Sequence, residues 1–125
     1  MSYFESVSPV SNEDPNALPV KELGRAIAYF ESVLGFSVVS RGDSTVLLRR
    51  DEARIGLTQK ADHQPREAGS LGLAVDDLDA LHRELSATGG NPGEFGIDEW
   101  GGKRYRTFFM REAENGYCFC FYHPA

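Results

Sequence analysis

Residues 18–38 read LPVKELGRAIAYFESVLGFSV, and residues 73–90 read LAVDDLDALHRELSATGG. The two stretches open alike. Val20-Lys21-Glu22-Leu23 aligns with Val75-Asp76-Asp77-Leu78 at an offset of 55 residues. In the first, apolar residues at 23, 26, 27, 30 and 34 follow one face of a helix. In the second, Leu78, Leu81 and Leu85 form the same stripe, Asp76 or Asp77 suits the N-cap, and Gly89 or Gly90 suits the stop. Helices are therefore expected over 22–34 and 77–88, with Leu23, Ile27, Phe30, Leu34, Leu78, Leu81 and Leu85 buried.

Strand-like segments follow each helix. They are FSVVSR, STVLLRR and ARIGLTQ in the first half, then the segment near NPGEFGI, KRYRTFFMR and YCFCFYH in the second. Gly42-Asp43, Asp51-Glu52 and Asn115-Gly116 mark turns between them. Each half reads β-α-β-β-β. A unit this long, present twice, is a duplicated module whose halves share a core rather than a solenoid repeat. Module one is expected over about 1–60, a linker over 61–68, and module two over about 69–125, together one domain. The opening MSYFESVSPV carries Tyr3, Phe4, Val7 and Val10, as an extra strand would, pairing with its own or a neighbouring chain. SNEDPNA at Ser11–Ala17 reads as an insertion or a distorted strand.

Length and charge set the limits on function. A chain of 125 residues can bury a core of its own. A net charge of −6 argues against nucleic acid, which needs a basic face. No apolar run approaches the length that spans a bilayer, and no leader pattern is visible, so a cytoplasmic protein is expected. Two cysteines, Cys118 and Cys120, exclude both a disulfide framework and a four-cysteine zinc site.

The paired modules, AYFESVLGF at Ala28–Phe36 and the closing WGG…F…NG resemble the glyoxalase/bleomycin resistance superfamily, the vicinal oxygen chelate proteins. The likeness runs from about Leu18 to Tyr122. EWGGKRYRTFFMREAENG is similar to the bleomycin-binding resistance proteins, with a longer, more acidic turn over Arg111–Gly116. The resemblance implies an α+β fold in which two βαβββ modules form a curled mixed eight-stranded sheet, helices on its convex face. It also implies a homodimer. Enzymes of the superfamily hold a divalent metal at four positions, which here fall at Pro15, Gly56, Ser70 and Cys120. Proline and glycine have no side-chain donors, and the expectation is no metal, no cofactor and no catalytic residue.

The histidines read plainly: His63 as a solvated linker residue, His82 as a half-buried helix residue, His123 as frayed. No nucleophile-base-acid order, Walker loop or dinucleotide-binding glycine pattern is present.

Trp100 is the sharper candidate. One reading makes it a core or dimer-contact residue. The other makes it a platform on which a flat ligand stacks, with Gly101 and Gly102 letting the ligand come close. On the next strand Tyr105, Thr107 and Phe109 share one face, suited to the concave side, while Arg104, Arg106 and Phe108 share the other. The expected ligand-binding set is Trp100, Tyr105, Gly101, Gly102 and, on the rim, Arg49. Asp98, Glu99, Glu112 and Glu114 read as a solvated surface or, if functional, as favouring a cationic ligand. The function expected is binding of an antibiotic or aromatic metabolite, sequestering it. The alternative is a metal-dependent lyase, thiol transferase or dioxygenase with displaced ligands such as His63, Glu67 or Glu99.

Overall fold

A computed structural model describes residues 2–9 and 14–125. The chain forms β1 (Phe4–Pro9), β2 (Leu18–Val20), α1 (Leu23–Ser32), β3 (Ser37–Arg41), β4 (Thr45–Arg50) and β5 (Ala53–Gln59). It continues with β6 (Ser70–Val75), α2 (Leu78–Ala87), β7 (Gly96–Trp100), β8 (Lys103–Arg111) and β9 (Cys118–Pro124). Both helices begin and end within a few residues of where the apolar spacing put them.

The two modules repeat one topology. Strands β2-β5-β4-β3 form one sheet, with β2 parallel to β5. Strands β6-β9-β8-β7 reproduce that order, with β6 parallel to β9. These eight strands are the ones the repeat implies, divided between two sheets. A ninth, β1, extends the second sheet by running antiparallel to β6. The N-terminal segment is thus an added strand, as its apolar residues suggested. Phe4 is fully buried, Val7 half-buried and Tyr3 exposed, while Val10 lies outside the described residues, as do Ser11–Glu13 of the insertion.

One core holds both modules together. Phe30 from α1 meets Phe36 of its own module and Phe119 of the other edge-on, at 5.8 and 6.0 Å between ring centroids. Phe4 does the same with Phe36 and Phe121. All seven expected core residues are buried. The helix starts are satisfied differently. Asp77 accepts from the Ala80 amide at 3.0 Å, an ordinary side-chain cap. Glu22 makes no such bond, and the Leu23 amide instead donates to Gln59 Oε1 on β5 at 3.0 Å.

Within the linker, His63 is buried rather than solvated. His63 is 1% exposed, stacks on Tyr117, and its Nε2 lies 2.9 Å from the Asn115 carbonyl, to which it donates. Asn115 Oδ1 accepts from the Lys21 amide at 2.9 Å, and Tyr117 donates its hydroxyl proton to the Pro19 carbonyl at 2.7 Å. The β8–β9 turn therefore clamps the start of α1 and the linker at once. Glu112 is buried and receives the Asn115 amide, and Glu114 pairs with Arg25 at 3.1 Å. Neither carboxylate belongs to an acidic surface around the β7–β8 hairpin. His123 is not frayed either: it sits in β9 opposite Arg106 and is half-buried, its Nδ1 without a hydrogen-bond partner among the described residues.

Candidate functional site

Strand alternation divides the second sheet into two chemistries. Phe108, Met110, Phe119 and Phe121 point into the core. Thr107 and Phe109 on β8, and Cys118, Cys120 and Tyr122 on β9, take the opposite face. With Ser70 and Gly72 of β6 and Asp98 and Trp100 of β7, this face bounds a hollow of about 460 Å³.

Its wall is aromatic and open. Trp100 lies flat on Tyr105 with centroids 4.0 Å apart and planes 7° from parallel. Tyr122 meets both rings edge-on, at 5.4 and 5.6 Å. Trp100 is 41% exposed and Phe109 47%, so neither is a core residue. Tyr105 stands behind Trp100 and does not itself border the hollow. The Asp98 carboxylate, also on the wall, accepts from the buried Thr107 hydroxyl at 2.5 Å, which fixes its orientation. Burial, then the negative charge of Asp98 and the neighbouring Cys118, pushes the Cys120 thiol up to about 11. It stays protonated at neutral pH and is a weak nucleophile.

The remaining expected site residues fall elsewhere. Gly101 and Gly102, at φ +58° and +76°, form the two-residue turn joining β7 to β8 and do not border the hollow. A type I′ turn needs positive φ at both central positions, which glycine supplies without strain. The two glycines reverse the chain there. Arg49 is also displaced. It lies on β4 in the first sheet, beside a separate hollow with Arg50, Asp51 and Glu84, and its Nε donates to the Asp51 carbonyl at 2.6 Å.

The four positions that hold metal in related enzymes do not present four donors. The Gly56 amide donates to the Pro15 carbonyl at 2.8 Å, and a side chain at Gly56 would collide with the Asn16 carbonyl. The chain's own backbone fills that half. Ser70 and Cys120 stand in the hollow on the other side. Among the described residues no three His, Cys, Asp or Glu side chains cluster to hold a metal ion. Of the alternative ligands, His63 is locked in the linker clamp, and Glu67 accepts from the Gln64 amide. Glu99 borders the hollow.

Sequence reasoning placed Phe109 on the face that borders the hollow but not in the expected set, weighed Asp98 and Glu99 only as part of an acidic cluster, and missed Tyr122. The signal for Tyr122 was present: pairing YCFCFYH with KRYRTFFMR puts Tyr122 opposite Thr107, on the face that carries Phe109.

The chain matches the family model described as the glyoxalase/bleomycin resistance protein/dioxygenase superfamily over residues 14–120. No curated protein matches it in sequence. Among solved structures it resembles a bleomycin resistance determinant encoded on the transposon Tn5, at 18% identity and a TM-score of 0.76, covering 91% of this chain and 98% of that one. A bleomycin-binding protein complexed with bleomycin gives 18% identity and 0.74, covering 92% and 100%. The bleomycin-binding protein of Streptomyces verticillus, complexed with copper(II)-bleomycin, gives 20% and 0.64, covering 85% and 90%. At such identities the structural likeness speaks to the fold. The family match covers most of the chain, and with the doubled β-α-β-β-β topology it makes this protein a member of the glyoxalase/bleomycin resistance protein/dioxygenase superfamily.

Proposed function

We propose that the protein binds a small, flat organic molecule, an antibiotic or aromatic metabolite, in the hollow beside Trp100. It sequesters the molecule without altering it and without a divalent metal of its own. The observation that carries this is the exposed Trp100 ring, backed by Tyr105 and set beside Phe109 and Tyr122 on an open wall. Large rings left facing solvent in a concave site mark a binding surface. Two of the structural neighbours hold bleomycin, which supports a ligand of this kind. Asp98 and Glu99 on the wall favour a ligand carrying positive charge. Binding without reaction is supported by the protonated Cys120 thiol and by the structural duty of His63.

The working unit we propose is a homodimer in the cytoplasm, each chain one domain. The outer strands β3 and β7 are exposed along their whole lengths, with Val39 and Ile97 more than half exposed, and open edges of this kind are normally covered. Light scattering at micromolar concentration should return twice the chain mass; a monomer mass rejects the dimer.

Metal analysis and thermal shift test the function together. After exhaustive dialysis against EDTA the protein should contain no stoichiometric divalent metal. Its melting temperature should still rise with metal-free bleomycin or another aromatic antibiotic, because binding to the native state stabilises it. A tightly held divalent ion, or a shift that EDTA abolishes, favours the enzyme reading instead.

A further inference from the structure

Strand β9 carries a thiol pair of which one member, Cys120, borders the hollow. Cys118 and Cys120 occupy alternate positions of β9 and so share the face turned away from the core, about 6.6 Å apart along the strand. That spacing is at the upper limit for a disulfide, but two sulfurs can lean toward an ion placed between them. Their cross-strand neighbours leave the space open. Gly72, opposite Cys120 on β6, contributes no side chain, and Ser70, opposite Cys118, contributes a small one. On the other side Arg111 of β8 pairs with Cys118 and Phe109 with Cys120. Arg111 is exposed and lies on the same face, so its positive charge offsets the excess negative charge of two thiolates around a monovalent ion.

The donor set selects the ion. Four-coordinate zinc needs two further ligands, and among the described residues no third His, Cys, Asp or Glu joins the pair. Hard ions prefer oxygen, whereas soft thiolates favour Cu(I), which two sulfurs can satisfy. We propose that Cys118 and Cys120 form a two-thiolate site for a soft monovalent ion of the Cu(I) type, at the edge of the hollow that Cys120 borders. This site shares Cys120 with the four positions that hold metal in related enzymes, but its second ligand, Cys118, is not among them. It has Cys120 in common with the hollow proposed for the organic ligand, but does not depend on that reading.

The test is anaerobic titration of the reduced, ligand-free protein with Cu(I) buffered by a chromogenic chelator. The expected result is withdrawal of one Cu(I) per chain, with a sulfur-to-copper charge-transfer band in the near ultraviolet. Cys118→Ser and Cys120→Ser should each lose both signals while keeping the wild-type circular dichroism spectrum. Should either variant fail to fold, protection of both wild-type thiols from alkylation by Cu(I) replaces it. No uptake by the wild type, uptake that survives Cys118→Ser, or protection of only one thiol overturns the site. Because the protein carries no organic ligand in this experiment, failure here leaves the bleomycin thermal shift to be judged separately.

Discussion

At the scale of single residues, Trp100 and Tyr29 show how one ring can serve opposite ends. Trp100 is exposed and braced by Tyr105, an arrangement that adds about 0.5–1.5 kcal/mol beyond burial wherever rings stack. Trp100→Ala should therefore leave the fold nearly unchanged and weaken a bound aromatic ligand about tenfold or more. Matched urea midpoints and unequal ligand affinities would show this; collapse of the fold would return Trp100 to a packing role. Tyr29 is the reverse case. Its hydroxyl is buried with no hydrogen-bond partner among the described residues, and burial, reinforced by the charge of Glu112, pushes it up to about 12. The folded protein thus holds this proton more tightly than the unfolded chain, whose tyrosines ionise near pH 10. The associated stability is fully present below about pH 10 and is lost as pH rises toward 12. Tyr29→Phe should flatten that alkaline decline and cost little at neutral pH, since it removes an unpaired hydroxyl. Urea midpoints measured for both proteins across this range would reveal a parallel decline if the account is wrong.

Elements depend on partners that local sequence only partly displays. The helices were legible because an apolar stripe at helical spacing has one reading, and residue type marks Asp76 or Asp77 as the cap, of which the structure uses Asp77. Gly101-Gly102 was read for the room it leaves a ligand, and its part in a two-residue hairpin, which needs positive φ at both positions, went unread. His63 was misread for a different reason. Its partner Asn115 lies 52 residues away, and nothing within KADHQPREAG shows that the linker will be covered by the β8–β9 turn. Gly116 is where that cover is tightest: φ is +88°, and an added Cβ would meet the Pro65 carbonyl. Gly116→Ala should destabilise the protein by more than the 1–2 kcal/mol, roughly, that left-handed backbone alone costs a residue with a side chain. Chemical denaturation measures it. A loss below about 1 kcal/mol would mean the clamp yields easily.

Across the whole molecule, duplication decides the architecture, and a shared core decides its cooperativity. The offset of 55 residues between the module openings made the βαβββ repeat visible, and each module's sheet has the same strand order. Sequence could not show that the strands divide into two sheets, which separates Arg49 from Trp100, because strand pairing between distant segments leaves no local mark. Phe30 touches both modules, so Phe30→Ala should cost roughly 3–5 kcal/mol and lower one common unfolding transition rather than split it in two. The central claim is that the hollow beside Trp100 holds an organic ligand with no divalent metal. As the one tryptophan of the chain, Trp100 reports on it directly. The deciding measurement is its fluorescence during titration of EDTA-treated protein with metal-free bleomycin and a panel of planar aromatic antibiotics. The account predicts saturable quenching or a spectral shift by at least one of them, accompanied by a thermal shift that Trp100→Ala reduces. A panel that leaves the fluorescence and melting temperature unmoved until a divalent metal is restored would contradict it.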